Sequence, residues 1–493
     1  MQSIAVIGAG CSGTLVVQQL IRRLDPGRRV KILWFGDEER FGPGLPYGAR
    51  TNDEAFLLNM KSTLLGVEKD GPLSFDPWLL RCGDAPAHQG PGAPSERYVP
   101  RLKMGDYLAE IAAELQAACR RSGHELLTIS ASVSRVRRQG QGFRVEATVS
   151  GRPQQWMADK IVLALGHPRK ATPFDAPGRY FANPYHDLAA LKAAVQPGDR
   201  IGILGTKLTG VDMALLMDRL GAGHIAMYSN SGRLPLVRGF IPTEDDAPGL
   251  DRPPHLRSLR DFLAWFRRAR AWEHDYVGLF SEGDPIKRLE LELAAAQGAR
   301  PWQMLLDSTK HWIDAFWSDL HDTQKRKFLR KYQGMWMSYR HPMPRENAMR
   351  LLALLKSGRL TVHRGYKSTT PNKTTGVEGF RIHLSQGDLD VDRVIDATGH
   401  AGNLARLDCP LLESLIDEGF VRQHPAGGLS IQPHTMELTG QRDLYALGPL
   451  TQGPLFYVSA IERLASHADT IAVQLLAEPE SPPIHRAGLP ALA

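Results

Sequence analysis

The sequence predicts an α/β fold, and three observations carry that expectation. The chain opens on "SIAVIGAGCSGTLVVQQLIRRL", an apolar run, a glycine-rich turn and an apolar helix in succession. A second stretch of the same layout, "RIGILGTKLTGVDMALLM", begins at Arg200. Two later apolar strands end alike: "KIVLALGHP" carries Gly166 and His167, and "RVIDATGH" carries Gly399 and His400. Together they predict two Rossmann-like dinucleotide-binding domains. With 493 residues the chain exceeds one compact core, so two or three domains are expected. Hydrophobic residues make up 42%, enough for sizeable cores.

Each element has a local reason. "SIAVIG" is apolar throughout, the mark of a strand buried on both faces. "TLVVQQLIRRL" has helical apolar spacing, and "RVKILWFG" is the next strand. The Pro/Gly-rich segment 83–97, "GDAPAHQGPGAPSER", is expected to be a mobile surface loop. "GDYLAEIAAELQAACRRSG" reads as an amphipathic helix, and several strands follow it up to "KIVLALG". Residues 257–339 turn helical and hold six of the nine Trp: Trp265, Trp272, Trp302, Trp312, Trp317 and Trp336. Their expected role is packing between helices. Strands return at "GRLTVHRG", "GFRIHLSQG" and "DRVIDATGH". The Pro-rich end, 478–493, is expected to be disordered.

Charge and cysteine usage narrow the function. The formal net charge of +7 suits anionic ligands such as dinucleotides or acidic substrates. The densest basic run, "KRKFLRK" from Lys325 to Lys331, reads as a solvated helix face. No zinc-finger or RNP-like pattern accompanies it, so nucleic acid is not an expected partner. Cys11, Cys82, Cys119 and Cys409 form no CxxC pair, which favours reduced thiols and a cytoplasmic location. The first strand starts at Ser3 and leaves no room for a signal peptide. No apolar run is long enough for a membrane span. His186 and His341 lie near acidic residues but lack a second paired ligand, so no metal is expected.

The first turn has the G-x-G-x-x-G spacing. Gly8 permits the tight turn, Gly10 lets the backbone approach a pyrophosphate, and Gly13 lets helix and strand pack closely. The helix N-terminus, through Cys11 and Ser12, offers N–H groups and partial positive charge to phosphates. A low-pKa nucleophilic Cys11 is the lesser reading of the same turn. Asp37 or Glu38 is the candidate acceptor for ribose hydroxyls. Asp37 lies 29 residues beyond Gly8, against roughly 20 in the usual pattern, and Gly36 stands near the expected place. Gly166 and Gly399 suit close backbone approach to a cofactor.

These residues resemble the FAD-NAD(P)-binding proteins, hydroxylase-like relatives of the flavin-containing and N-hydroxylating monooxygenases. The landmarks are "VIGAGCSG"; "FGPGLPYG" then "FLLNM", with Gly42, Gly44, Tyr47 and Asn59; "VPRLKMGDYL", with Arg101, Gly105 and Tyr107; "ILGTKLTGVDMALLM"; "YRHPMPRENAMRLLALLKSGRLTVHRG"; and "LYALGPLTQG", with Gly448. The resemblance implies a discontinuous FAD domain with an NAD(P)-like domain inserted. The expected spans are 1–175 (FAD, first part), 176–256 (NAD(P)-like), 257–339 (helical) and 340–477 (return to both). It also implies that Asn59, Met60, Arg101 and Gly448 lie near the flavin. The activity it implies is FAD-dependent monooxygenation of a small metabolite. NADPH or NADH would reduce the flavin, and O2 would form a flavin C4a-hydroperoxide. Two alternatives stand: an FAD oxidase or dehydrogenase reduced directly by substrate, and a non-catalytic flavin-binding redox sensor or partner protein. His400 is the one candidate for a catalytic or flavin-contacting side chain.

The second turn departs from the pattern. Gly205, Thr206, Leu208, Thr209 and Asp212 are similar to the family's turn, but Lys207 stands where the second glycine belongs. A side chain there obstructs a pyrophosphate, and it adds strain if the position needs positive φ. It is also a cation that suits a phosphate. Three readings follow: a shifted NAD(P)H site, a site that no longer binds nicotinamide, or a site for another anion. Asn230 stands where the family commonly has an arginine suited to the 2′-phosphate of NADP, and Arg233 is the nearby substitute.

Overall fold

The structure is a computed structural model. It describes residues 1–25, 27, 29–36, 40–67, 74–84, 98–239, 252–253, 255–268, 282–372, 378–399 and 402–477. Asp37, Glu38, Trp272, His400, most of the Pro/Gly-rich segment and the tail 478–493 lie outside the described residues.

β1 (Gln2–Ile7), α1 (Cys11–Arg23) and β2 (Val30–Gly36) form the opening unit. α1 buries Leu15, Val16, Val17 and Leu20, and Arg22 and Arg23 sit at its negative end. Next come α2 (Gly44–Tyr47), α3 (Phe75–Arg81) and α4 (Arg101–Arg121). β3 (Glu125–Ser130) extends the sheet. An antiparallel meander, β4 (Ser132–Gln139), β5 (Gly142–Val149) and β6 (Arg152–Ala158), leaves it. β7 (Lys160–Leu163) returns to pair with β1.

β8 (Arg169–Lys170) and β9 (Tyr180–Phe181) lead to α5 (Leu188–Ala194). β10 (Arg200–Leu204), α6 (Leu208–Arg219) and β11 (His224–Ser229) repeat the opening unit. A helical insertion follows. Then come β12 (Leu360–Arg364), a second meander of β13 (Tyr366–Asn372), β14 (Gly379–Leu384) and β15 (Gly387–Val391), and β16 (Arg393–Asp396). β17 (Leu407–Asp408) pairs with β8. β18 (Leu444–Ala446) goes back to the first sheet.

Both five-stranded sheets are parallel and share one topology. The orders are β18-β7-β1-β2-β3 and β12-β11-β10-β16-β9. In each, the first strand is central, the second and third lie to one side, a meander intervenes, and the fourth closes the other side. The fifth strand comes from elsewhere in the chain, so the first module is discontinuous and the second is inserted into it. Each sheet has its own core. Ala55 and Phe56 of the first module are buried in the second core, so this segment bridges the two.

The insertion between β11 and β12 contains helices Leu259–Arg268, Pro285–Ala295, Pro301–Ser308, Ile313–Asp319, Asp322–Lys331, Gln333–Arg340 and Arg345–Lys356. Trp302, Trp312, Trp317 and Trp336 share one aromatic core with Phe262 and Phe316, and Trp265 packs on it. The tryptophans pack helix to helix, as their clustering predicts. Trp317 donates its Nε1–H to the Gly453 carbonyl at 2.8 Å and stacks on Phe456 at 4.4 Å, docking the insertion on the carboxy-terminal segment. On helix Asp322–Lys331, Arg326, Lys327, Arg330 and Lys331 are exposed, while Lys325 turns inward to the Ser318 carbonyl. No helix among the described residues is long and apolar enough to cross a membrane.

Candidate dinucleotide sites

The first turn lies at the carboxyl end of β1. Gly8 has φ +123°, and a Cβ there would overlap the Ala164 carbonyl oxygen. A Cβ on Gly13 would overlap the Gly8 carbonyl oxygen, so helix and strand touch backbone to backbone. Gly10 has a further reason to lack a side chain. Its Cα faces Gly44, where a Cβ would come within 2.7 Å. The Gly42 N–H donates to Ala9 O at 2.8 Å, seating the "FGPG" loop on the turn. The second landmark of the sequence thus packs on the first. A glycine turn of this kind at the N-terminus of a helix is suited to a pyrophosphate.

Burial pushes the Cys11 thiol up to about 12, so it stays protonated and is no nucleophile. Ser12 is buried, and its Oγ would sit 3.0 Å from a Cβ on Gly448, whose φ is +90°. Gly448 therefore closes over the helix start. Gly166 and Gly399 each lie three residues past the end of their strand, β7 or β16, at φ +61° and +84° with open space around them. They are the same turn in the two modules. Asn59 and Met60 are half-buried, and Met60 Sδ accepts from Arg238 at 3.3 Å.

The second turn repeats the first. Gly205 has φ +119° and abuts the Ala397 carbonyl, as Gly8 abuts Ala164; Gly210 abuts Gly205 O, as Gly13 abuts Gly8 O. Lys207 caps α6 at φ −96°, ψ −167°, close to the −82°, −170° of Gly10. The position does not require positive φ, so the strain considered from the sequence is absent. The lysine Nζ donates to Arg233 O at 3.0 Å and to Ser338 Oγ. Burial, with Arg288 and Arg233 nearby, pushes its pKa down to about 8. Thr206 faces inward, 1% exposed, its hydroxyl bonding Arg233 O at 2.7 Å and pairing with Ser229 Oγ. Leu208 and Thr209 open α6. Asn230 is exposed, and its carbonyl accepts from the Gly365 N–H.

A narrow cleft between the modules, about 30 Å³, brings Thr209 and Gly399 together with Leu45, Pro168 and Tyr185. The Arg101 guanidinium turns to the second module. It pairs with Asp212 at 2.6 Å and donates to Tyr185 Oη at 3.2 Å, while Tyr185 donates to Asp212 at 2.7 Å. A second tie joins Asp53 to Lys192 at 2.7 Å and to Arg219. Sequence reasoning quoted Asp212 only as a family match and passed over its clamp role. It also assigned nothing to Arg238, Asp307, Arg340 or Tyr457, which meet beside Met60; Arg340 stood inside the quoted "YRHPMP" motif, which was the available signal.

Twin parallel modules with glycine cradles at their first turns are the architecture of dinucleotide-binding folds. Residues 5–168 match the FAD-NAD(P)-binding family, which bears out the resemblance over that part of the chain. No curated protein matches the sequence. Among solved structures, the ornithine hydroxylase PvdA from Pseudomonas aeruginosa is similar at TM-score 0.57 and 14% identity, over 96% of this chain and 98% of that one. The ornithine N-hydroxylase KtzI from Kutzneria sp. 744, solved with reduced FAD, NADP+ and L-ornithine, is similar at TM-score 0.57 and 15% identity, with the same coverage. The FAD-bound cadaverine monooxygenase DfoA from Erwinia amylovora is similar at TM-score 0.60 and 12% identity, over 100% and 98%. The fold of this chain is theirs.

Proposed function

We propose that the chain is an FAD-dependent oxidoreductase, a monooxygenase that acts on a small metabolite with NAD(P)H and O2. The observation that carries this reading is the repeated cradle: Gly8 and Gly13 in one module, Gly205 and Gly210 in the other, with the same backbone contacts. Such cradles fit pyrophosphates, and two in one chain fit a flavin and the nicotinamide that reduces it. FAD is held at Gly8, Gly10, Cys11, Ser12 and Gly13, with Asn59, Met60, Gly166 and Gly448 around it. When bound, it supplies the redox and oxygen chemistry. The chain's own residues orient the cofactor and exclude water, which agrees with a buried, protonated Cys11.

NAD(P)H is held at the second turn, with Lys207 as a phosphate ligand. Three cations, Lys207, Arg233 and Arg288, are close enough to perturb one another, and an incoming phosphate relieves that repulsion. The ammonium is charged below about pH 8 in the free protein, and a bound phosphate holds its proton to higher pH. Binding therefore takes up a proton above that point. NADPH affinity is expected to be flat below about pH 8 and to fall above it, whereas Lys207→Gln binds more weakly and loses this step. Lys207→Gly should weaken NADPH by about tenfold. Tighter binding by the glycine variant would mean that the lysine obstructs the turn. Fluorescence titration across pH reads both.

The central test is anaerobic. The flavin-loaded protein is mixed with NADPH, NADH or candidate substrates while its absorbance is followed. Rapid bleaching by a nicotinamide is the expected result. Bleaching by a substrate alone would favour the oxidase or dehydrogenase alternative, and no bleaching by any donor would favour the sensor.

A further inference from the structure

Arg238 and Arg340 are buried, their side chains 1% and 5% exposed, and they share one carboxylate, Asp307, at 3.2 and 2.8 Å. Arg238 is poorly satisfied for a buried guanidinium. Its second terminal nitrogen meets only the thioether sulfur of Met60, and its Nε has no hydrogen-bond partner among the described residues. Buried donors of a charged group without acceptors are costly and rare. The side chains packed directly on the pair are neutral. Burial, together with Arg340 and Arg238, pushes His341 down to about 3, so its imidazole is neutral. Burial holds the Tyr457 phenol up to about 12, and the Arg340 guanidinium lies 4.8 Å from its ring centre. Glu462 reaches Arg340 only electrostatically, from an exposed position. Two buried cations thus share one half-buried carboxylate.

The surroundings are rigid. Val237 donates to Glu292 at 3.0 Å, and its carbonyl accepts from Arg300 at 3.0 Å and Gln303 at 2.9 Å. Gly239 donates to Gln303, and the Arg238 N–H donates to Met343 O at 2.9 Å. The backbone on both sides of Arg238 is therefore pinned. On the opposite side Phe456 has φ +62°, ψ −60°, and the Tyr457 N–H closes a tight turn to Leu455 O at 2.7 Å. A non-glycine residue at such angles is strained, and such strain gathers at functional sites. The cluster joins the insertion (Arg238, Asp307, Arg340) to two parts of the first module: Met60, beside Asn59, and Tyr457, downstream of Gly448.

We infer that Arg238 and Arg340 form an anion-binding site for the substrate, and that the substrate carries a carboxylate. The inference rests on the flavoprotein reading above. A carboxylate matches the planar guanidinium fork, gives Arg238 Nε its missing acceptor and balances the surplus charge. An all-cationic substrate meets repulsion at the same place.

The test uses flavin-loaded protein and calorimetric titration with succinate, glutarate, cadaverine and inorganic phosphate, with the flavin spectrum as a second readout. Succinate or glutarate is expected to bind and perturb the spectrum; cadaverine is not. Arg340→Gln and the charge-keeping Arg238→Lys should each weaken the dicarboxylate by roughly 10- to 100-fold, with flavin content checking that each variant has folded. Binding of cadaverine or phosphate without the dicarboxylates overturns the substrate class, as does dicarboxylate affinity unchanged in both variants. A protein that takes up no FAD fails differently: it sinks the flavoprotein reading itself.

Discussion

Replacing Asp212 by alanine is expected to destabilise the protein by about 3–5 kcal/mol, the cost of removing one partner of a buried ion pair. Asp212 is 3% exposed and Arg101 17%, so the stranded guanidinium has little access to water. Tyr185 loses its acceptor at the same time. The effect is not only local. Arg101 begins α4 of the first module and Asp212 lies in α6 of the second, so the substitution cuts a tie between modules. Thermal unfolding should shift down and split into two transitions. Tyr185→Phe removes two hydrogen bonds, the one donated to Asp212 and the one accepted from Arg101, and should cost about 2 kcal/mol, less than the alanine substitution. An alanine variant that melts like the parent would show that the clamp contributes nothing.

Gly8→Ala should yield protein without flavin. The methyl group overlaps the Ala164 carbonyl, and a backbone φ of +123° is one that alanine rarely adopts. The turn must then move, and the N-terminus of α1 moves with it. The ratio of flavin to protein absorbance after purification measures this. Gly205→Ala makes the matching change in the second module, and should keep flavin while losing NADPH. Gly166→Ala, with positive φ but open space, should cost only about 1 kcal/mol. Full flavin occupancy in the Gly8 variant would show that this turn is not the pyrophosphate cradle.

Both cradles were legible in the sequence because their logic is local. Strand, glycines and helix follow one another, and the steric reason for Gly8, Gly13, Gly205 and Gly210 lies within a few residues or on the neighbouring strand. The tryptophan cluster was legible for the same kind of reason, since large apolar side chains at helical spacing need partners. Other features depend on distance in the chain. Arg238, Asp307 and Arg340 come from separate segments with no shared pattern, so nothing local announces the surplus charge they create. The resemblance placed Arg101 near the flavin, yet its guanidinium turns to Asp212, a partner that only the packing of two modules supplies. Lys207 shows a third limit. A broken glycine pattern suggests strain, but φ is a property of the folded backbone, and there it is ordinary.

The contrast between Gly10 and Lys207 separates what can drift from what cannot. Gly10 is wedged against Gly44, so a side chain at either position displaces the first turn. Lys207 holds nearly the same dihedral angles and carries a long side chain without backbone cost. Its codon can change while the flavin cradle stays intact. On the proposed reading, the contacts to the electron donor can therefore change at this position by a single substitution, and those of the flavin cradle at Gly10 cannot.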